Sequence, residues 1–307
     1  MEIRHISADT LLIKEAIVAT VGFFDGVHLG HRFLIDQLNS IARNKHLPSA
    51  VITFPIHPRK VLDKEFCPEL LNHFEEKLSL LSTTGIDYCY VLDFSKTLSQ
   101  LTAQEFIKRV LSKKLHLSEL LIGYDHRFGR DRIEDSNAYI LYGKQVDIHV
   151  TKANSLLVDN INVSSTRIRQ TLLSGKVEKA QQLLSYNYSI DGWVVKGNQI
   201  GRNIGFPTAN IQLSHPDKII PSVGIYAVWV FVGKQKHAGM LYIGSRPTIA
   251  GSEQRIEVNL LDFSGDLYNQ ILRIEFIRFI RKDKKFSSLE ELKAQLELDR
   301  EMVSSII

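Results

Sequence analysis

An apolar strand that runs directly into a glycine-rich turn and a helix restricts the fold of this chain more than any other feature of its sequence. Residues 17–24 are apolar and rich in β-branched side chains, which is typical of a strand buried in a parallel sheet. Residues 33–41 have helical apolar spacing. The turn between them, residues 22–31, reads Gly-Phe-Phe-Asp-Gly-Val-His-Leu-Gly-His. Because open α/β sheets bind ligands at the carboxyl ends of their strands and helix N-termini attract anions, this turn predicts a phosphate site.

Two histidines in the turn stand three residues apart. At helical spacing His28 and His31 lie on one face, so both rings could donate hydrogen bonds to a single phosphoryl group and neutralise charge that develops there. Gly22, Gly26 and Gly30 permit close backbone approach. The alternative is that His28 packs as a partly buried histidine and His31 is solvated. The preceding strand and the three glycines favour the phosphate site.

Composition limits the class of protein. A chain of 307 residues with 44% hydrophobic and 23% charged residues suits two globular domains. The net charge of +4 is mild, and no basic run is interleaved with aromatic residues, which disfavours a nucleic-acid partner. Cys67 and Cys89 are the only cysteines, and the sequence has neither a secretion signal nor a span long enough for a membrane. We therefore expect a cytoplasmic protein without a membrane partner, and the sequence carries no signal for its oligomeric state.

The first part of the chain alternates between strand-like and helical patterns. Such alternation predicts a doubly wound parallel sheet. Beyond the strand and helix already described, the predicted strands are 50–54, 88–92, 120–123, 146–151 and 156–160, and the predicted helices are 74–81 and 103–111.

After about residue 186 the pattern changes to short alternating runs broken by Gly, Asn and Pro. Regularly spaced strands without helices between them predict a barrel. The capping box of residues 288–291 predicts a final helix that reaches about residue 303 and packs against this barrel. We place the domains at 1–185 and 186–307. The predicted barrel strands are 190–195, 224–232, 239–243, 254–263 and 271–279.

A second candidate anion site follows the last predicted strand of the first domain. Ser164 and Ser165 can cap the helix that begins there, and Thr166, Arg167 and Arg169 lie near the same helix end. An Arg side chain offers a planar fork that matches phosphate oxygens. The alternative is an ordinary Ser-capped helix with two surface arginines. One anion site at each of two sheet loops would suit a triphosphate.

Residues 197–210 combine a glycine-rich loop with two short oxygen-bearing side chains. The Thr208 hydroxyl and the Asn210 carbonyl are hard donors suited to Mg²⁺, and the glycines permit backbone N–H groups to face phosphates. A tight barrel turn would explain the glycines nearly as well. Further candidate ligand-binding residues in this loop are Gly197, Gly201, Arg202, Gly205, Phe206 and Pro207.

Glu257 lies in an alternating strand on the face opposite Ile256 and Val258. A carboxylate there could deprotonate a hydroxyl nucleophile. The alternative is an ordinary solvated glutamate on a strand.

Over essentially its whole length the chain resembles the bacterial bifunctional riboflavin kinase/FAD synthetase family. The resemblance is carried by separated motifs that occur in the same order, and several such motifs are far more specific than one. They occupy residues 22–31, 53–58, 122–129, 164–169, 201–210, 221–226, 243–248 and 257–268.

The resemblance implies a Rossmann-like α/β nucleotidyltransferase domain that transfers AMP from ATP to FMN, giving FAD and pyrophosphate. It also implies an all-β, Greek-key-like barrel that phosphorylates riboflavin to FMN, followed by a C-terminal helix. The expected cofactor is Mg²⁺, and ATP, riboflavin, FMN and FAD are the expected substrates and products.

The resemblance also implies residue roles. His28 and His31 would contact the α-phosphate, while Ser164, Thr166 and Arg167 would hold the outer phosphates. In the barrel, Thr208 and Asn210 would bind magnesium-ATP, and Glu257 would act as base on the ribityl 5′-hydroxyl. Asp125 and the His57-Pro58 pair resemble flavin-side elements. Further candidate ligand-binding residues are Gly22, Phe24, Asp25, Gly26, Ser165 and Arg169.

Four positions depart from the family pattern. The family commonly has Phe where His126 stands, Gly near Glu134, His at Asn259 and Gly at Asn269. These departures affect the expected flavin affinity or preference rather than the reaction class. Two other functions stay open at the level of sequence: a nucleotidyltransferase that acts on another phosphorylated acceptor, and a non-catalytic flavin-binding module.

Overall fold

The computed structural model describes residues 1–7, 13–124, 126–130, 135–158, 161–197, 201, 204–248 and 251–307. The chain divides into two compact units, Met1–Ser165 and Thr166–Ile307. This division lies before the domain boundary that the sequence predicts after residue 185, and that boundary stays a prediction.

The first unit is built on a parallel sheet of six strands. The strand order is β1-β4-β3-β2-β5-β6, and each neighbouring pair is parallel, so the predicted parallel sheet is confirmed. The chain moves outward from β2 to β4 and returns to the other side of β2 for β5. The carboxyl end of β2 therefore lies where the strand order reverses, which is where such sheets bind ligands. The strands are β1 (Glu2–Ile6), β2 (Ile17–Val21), β3 (Ser49–Thr53), β4 (Tyr88–Leu92), β5 (Leu117–Ile122) and β6 (His149–Lys152).

Helices cover both faces of this sheet. All of β2 is buried: Val18 packs in one apolar cluster with Ile35 and Leu38, whereas Ile17 and Val21 belong to a second cluster on the opposite face. The strand predicted at 156–160 lies partly outside the described residues; Leu157–Val158 forms β7, which pairs antiparallel with β8 (Ile161–Asn162). The helices are α1 (Leu29–Lys45), α2 (Pro58–Leu62), α3 (Phe74–Ser82), α4 (Lys96–Ser99), α5 (Ala103–Phe106), a π-helical segment (Ile107–Ser112) and α6 (Ser136–Lys144).

The second unit contains a closed antiparallel barrel of six strands in the order β10-β13-β12-β11-β14-β9, which confirms the predicted barrel. Its elements are α7 (Ser165–Leu173), α8 (Val177–Leu184), β9 (Ser189–Val195), β10 (Ala209–Leu213), β11 (Gly224–Val232), β12 (Gln235–Thr248), β13 (Gly251–Leu260), β14 (Ile271–Arg281) and α9 (Leu289–Ile306).

Two helices attach to the outside of the barrel. Helix α8 packs against β14, with Leu183 and Leu184 among its buried residues, and it belongs to the second unit although it precedes residue 185. The C-terminal helix α9 is joined to β14 through Arg281, which donates from Nε and Nη2 to the buried Asp299 carboxylate at 2.8 and 2.7 Å. The predicted final helix is therefore present and packs against the barrel as expected.

Candidate active sites

The turn that follows β2 has an unusual backbone. Phe24, Gly26 and Val27 have φ angles of 55°, 87° and 34°, in the left-handed region that non-glycine residues rarely adopt. The buried Phe24 ring folds back so closely that a Cβ at Gly22 would lie 2.8 Å from it. The sequence of the turn thus requires glycine at residue 22 for packing, and the strained backbone presents the first residues of α1 at the carboxyl edge of the sheet.

His28 and His31 are brought together at the start of α1. Their rings are stacked, with centroids 3.6 Å apart, and His28 caps the helix because its Nδ1 accepts a hydrogen bond from the His31 backbone N–H at 3.3 Å. A neutral His28 ring therefore carries its proton on Nε2. The pair lies beside the backbone N–H groups of a helix N-terminus, which attract an anion.

The electrostatics of His31 favour a neutral ring. Loss of hydration lowers the pKa of His31 well below 6.5, and the neighbouring His28, His126 and Lys77 lower it further. Its Nδ1 is buried and has no hydrogen-bond partner within the described part of the chain. A bound phosphate would place a negative charge beside the ring, which would raise the pKa of His31.

Asp25 is buried beneath the turn and holds neighbouring backbone rather than facing solvent. Its carboxylate accepts hydrogen bonds from the backbone N–H groups of Leu71 and Asn72 at 3.0 and 3.1 Å. Its backbone carbonyl accepts from Ser165 Oγ at 2.8 Å. Within the first unit, Asp25 thus connects the turn to the 71–72 loop and to Ser165.

His57 and Pro58 lie at the start of α2, near the same edge of the sheet. His57 Nδ1 accepts from the Arg59 backbone N–H at 3.2 Å, and Pro58 occupies the first helical position. The His57 ring meets the Phe23 ring edge-on, with centroids 4.9 Å apart. The structure therefore places His57 against Phe23, the second residue of the 22–31 turn.

Lys77 is a buried residue at this edge that the sequence reasoning missed. Its side chain is 2% exposed, and its Nζ donates to the backbone carbonyls of Phe23 at 3.1 Å and Phe54 at 2.8 Å. The sequence does contain a signal for its burial, because Lys77 stands at helical spacing from Phe74 and Leu81, on the apolar face of α3.

The other residues that the sequence analysis singled out have the following places. Ser164 precedes α7 and is exposed, and Ser165 is the first residue of that helix. Thr166, Arg167 and Arg169 follow in α7 and are grouped with the second unit. Asp125, Glu134 and Arg202 lie outside the described residues.

The barrel brings Glu257 together with the predicted metal ligands. Glu257 on β13 is in register with Asn210 on β10 and with Tyr242 on β12. Thr208 Oγ1 donates to Glu257 Oε2 at 3.2 Å. Arg255, which sequence reasoning missed, forms an ion pair with Glu257 Oε1. The hydroxyl of Thr208 and the carboxylate of Glu257 thus meet, with Asn210 in register on the neighbouring strand, and these residue types are suited to Mg²⁺.

Thr208, Tyr242, Arg255 and Glu257 line a cavity of about 290 Å³ in the second unit, whereas Asn210 is not among its lining residues. Most of the cavity surface is apolar, and several polar and charged side chains also line it, a combination found at sites for small organic ligands. The lining includes Phe206, Met240 and Leu241 beside Thr208, Glu257 and Arg281.

The glycines of the preceding loop serve local packing. A Cβ at Gly197 would collide with the Asn210 amide, and one at Gly201 would collide with the Phe206 carbonyl oxygen. Gly205 has a φ of 87°. The tight-turn interpretation therefore accounts for these glycines, and the loop's functional evidence rests on the side chains of Thr208 and Asn210.

Three described positions that depart from the family pattern have clear local roles. Asn259 is buried and donates from its amide to the Pro207 carbonyl at 2.7 Å, which fixes the loop before Thr208. Asn269 has a φ of 61°, a conformation that asparagine adopts more readily than most residues and that glycine adopts freely. His126 contributes positive charge that lowers the pKa of His31.

Two protein-family models match the chain. The model described as FAD synthetase matches residues 12–167, and the model described as riboflavin kinase matches residues 184–307. None of the helices in the described ranges is both long and apolar enough to span a membrane.

Characterised relatives match both units together. The bifunctional riboflavin kinase/FMN adenylyltransferase of Escherichia coli K12 is 38% identical over 287 residues, which cover 93% of this chain and 91% of the relative. The protein of the same description from Listeria monocytogenes is 36% identical over 294 residues, covering 92% and 90%. A crystal structure described as a macrolide-efflux protein from Streptococcus pneumoniae has a TM-score of 0.89 and 32% identity, with 99% of each chain covered.

Proposed function

Because this chain belongs to the family of bifunctional riboflavin kinases/FMN adenylyltransferases, we propose that its two activities use separate sets of side chains, one centred on His28 and the other on Glu257. The enzyme phosphorylates riboflavin with ATP to give FMN, and it transfers AMP from ATP to FMN to give FAD and pyrophosphate. We assign adenylyl transfer to residues 1–185 and riboflavin phosphorylation to residues 186–307.

In adenylyl transfer, His28 and His31 contact the α-phosphate of ATP. The support for this role is their stacked arrangement at the N-terminus of α1, where His28 is the capping residue. Negative charge on the α-phosphate oxygens is stabilised by donors that are already in position, which is the main requirement of phosphoryl-type transfer. Ser164, Thr166 and Arg167 hold the outer phosphates, which leave as pyrophosphate.

The FMN phosphate attacks the α-phosphorus from the side of the His57-Pro58 segment. The support for this placement is the contact between the rings of His57 and Phe23 at the edge of the sheet that bears the histidine turn. The protein's contribution is to align the attacking phosphate oxygen with the leaving pyrophosphate oxygen.

In riboflavin phosphorylation, Glu257 accepts the proton of the ribityl 5′-hydroxyl as that oxygen attacks the γ-phosphorus of ATP. The single observation that carries this role is the hydrogen bond of 3.2 Å from Thr208 to Glu257, inside the apolar cavity of the barrel. Arg255 orients the carboxylate through its ion pair with Oε1, which leaves the second oxygen directed toward Thr208.

Thr208 and Asn210 would hold Mg²⁺ with ATP. The Thr208 oxygen can coordinate a cation while its proton still points at Glu257, so the two roles are compatible. A bound Mg²⁺ would neutralise charge on the phosphates of ATP.

We also propose that the enzyme works in the cytoplasm, with neither nucleic acid nor membrane as a partner. Free Cys67 and Cys89 and the mild net charge of +4 support this assignment.

A product time course on the intact chain tests the proposed function. With riboflavin, ATP and Mg²⁺, chromatography should show FMN first and FAD later, and the double variant His28→Ala/His31→Ala should accumulate FMN. FAD formed by that variant at the wild-type rate would refute the role of the two histidines. The intact chain is preferable to separated halves, because a cut after residue 185 would remove α8 from the β14 strand on which it packs.

A further inference from the structure

Lys77 places a buried ammonium group next to the backbone that leads into the His28–His31 turn, and its Nζ binds backbone carbonyls rather than either histidine ring. Its side chain is 2% exposed, and its Nζ donates to the backbone carbonyls of Phe23 and Phe54. Phe23 follows β2 and Phe54 follows β3, so one ammonium group binds the carboxyl ends of two neighbouring strands. Lys77 therefore holds together the two points from which the chain leaves the sheet toward the proposed ATP and flavin elements.

Burying an ammonium group in this position is costly unless its interactions are strong. The Lys77 ammonium lies 4.0 Å from the centroid of the Phe23 ring and 5.4 Å from that of Phe74, and Asp25 provides a nearby negative charge. An apolar side chain could fill the same space without a desolvation cost, so the packing of α3 alone does not account for a lysine here.

The contacts of Lys77 converge on Phe23. The Phe23 carbonyl also accepts from Thr53 Oγ1 at 3.2 Å, and the Phe23 ring meets the His57 ring. The residues that follow Phe23 form the turn that ends at His28 and His31. A shift of the Phe23 carbonyl would therefore change the distance between the paired histidines and the segment that begins at His57.

We propose that Lys77 is a positioning residue for adenylyl transfer, which fixes the spacing between the His28–His31 turn and the His57-Pro58 segment. This inference rests on the proposed function of those two elements. Lys77 contacts neither substrate, and riboflavin phosphorylation on the same chain does not depend on it.

The ionisation of Lys77 gives the proposal a pH signature. Burial lowers the pKa of Lys77 from 10.5 to about 8, and the facing groups Asp25 of the turn and Cys89 of β4 oppose this shift. His31 of α1 is the other facing group, and its own pKa is lowered in part by Lys77. Above pH 8 the neutral amine gives up its attraction to Asp25 and its charge-assisted hydrogen bonds, so FAD formation should decline.

Stability should respond to the same ionisation with the opposite sign. Between pH 8 and 10.5 the unfolded chain keeps the proton on Lys77 and the folded chain releases it. Fewer protons on the folded state mean that this group's contribution to stability rises with pH. A decline in FAD formation above pH 8 without a loss of folded protein therefore separates positioning from a merely structural role.

The test compares Lys77→Met with Lys45→Met in the intact chain. Lys45 lies at the other end of α1, where it pairs with the buried Glu119, so its loss also unpairs a charge in the first unit. We expect Lys77→Met to lower kcat for FAD formation from FMN by about 10- to 100-fold, because small misplacements of reacting groups have effects of that size. Riboflavin phosphorylation should stay within about twofold of wild type in both variants, and Lys45→Met should retain kcat for FAD formation.

The pH profile and a second variant keep the proposal falsifiable if Lys77→Met does not fold. The wild type should lose FAD-forming activity above about pH 8, a result that needs no variant. If Lys77→Met does fold, it should lack this loss at alkaline pH. Thr53→Val removes the other donor to the Phe23 carbonyl and should lower kcat in the same direction without altering the limb.

Three results would overturn the role of Lys77: a full FAD-forming rate in Lys77→Met, an equal loss in folded Lys45→Met, or no alkaline limb in the wild type. If the double histidine variant kept its FAD-forming rate while Lys77→Met lost it, the proposed function of the histidines would fail instead.

Discussion

A neutral imidazole can bind an anion only by a hydrogen bond, whereas an imidazolium adds a positive charge. The lowered pKa of His31 makes its ring neutral at neutral pH. The ring can offer a hydrogen bond to the proposed phosphate ligand, and it carries no full charge before such a ligand binds. The spacing of His28 and His31 predicted that the two rings share a face. The low pKa of His31 could not be predicted, because it depends on burial in the folded chain and on nearby charged groups that are distant in sequence, Lys77 and His126.

The first prediction concerns acid stability. Below pH 6.5 the unfolded chain protonates His31 and the folded chain does not, so His31 makes the first unit less stable as the pH falls, by at most about 1.4 kcal/mol per pH unit. His31→Gln should reduce this loss. Thermal unfolding followed by circular dichroism between about pH 5 and 7 measures it, and an unchanged acid slope in the variant would contradict the assignment.

The second prediction concerns the base of the kinase. Glu257→Gln should lower FMN formation by about 10²- to 10⁴-fold, because an amide cannot accept the hydroxyl proton. FAD formation from supplied FMN should continue at the wild-type rate. Glu275→Gln is a matched control, since Glu275 also pairs with an arginine on a barrel strand but does not line the cavity. Loss of both activities in folded Glu257→Gln would disagree with the assignment.

At the scale of elements, the hydrophobic patterns of the sequence predicted most helices and strands, but they did not always predict the surface on which each element packs. The buried strand β2 and the helices with strong apolar spacing were evident. Strand β1 was missed because its sequence, Glu-Ile-Arg-His-Ile, is polar and belongs to an edge. Strand β10 was missed because its first residues were assigned to the glycine-rich loop of residues 197–210.

Helices α7 and α8 follow the α/β pattern of the first part of the chain but belong to the second unit. The apolar face of an amphipathic helix is visible in sequence, whereas the surface that receives it is chosen by the folded chain. The candidate sites show the same limit of sequence-based prediction. Neither Arg255 nor Lys77 belongs to a recognisable motif, and it is the fold that brings Arg255 to Glu257 and Lys77 to Phe23.

The third prediction concerns the attachment of α9. Asp299→Asn removes the charge that pairs with Arg281 and should destabilise the second unit by about 2–4 kcal/mol. Trp193 and Trp229 both lie in barrel strands, so denaturant unfolding followed by tryptophan fluorescence reports on this unit. Glu297→Gln, an exposed change on the same helix, should have little effect. A fluorescence midpoint equal to that of wild type would refute the contribution of the ion pair.

At the scale of the whole molecule, the product of one activity is the substrate of the other. The fourth prediction follows: a mixture of Glu257→Gln and His28→Ala/His31→Ala should convert riboflavin to FAD although neither variant does so alone. FMN made by the histidine variant would diffuse to the intact adenylyl-transfer site of the glutamate variant. Measuring FAD against the concentration of each variant checks this, and a mixture that accumulates only FMN would contradict it.

The closed barrel has a consequence for how the protein behaves when concentrated. A sheet that closes on itself leaves no strand with unpaired backbone groups, whereas the parallel sheet ends at β1 and β6. Intermolecular strand addition is therefore a hazard of the first unit, and β1 carries Ile3 at 43% exposure. The charged pair of Glu2 and Arg4 on that strand is the feature that guards the edge against aggregation.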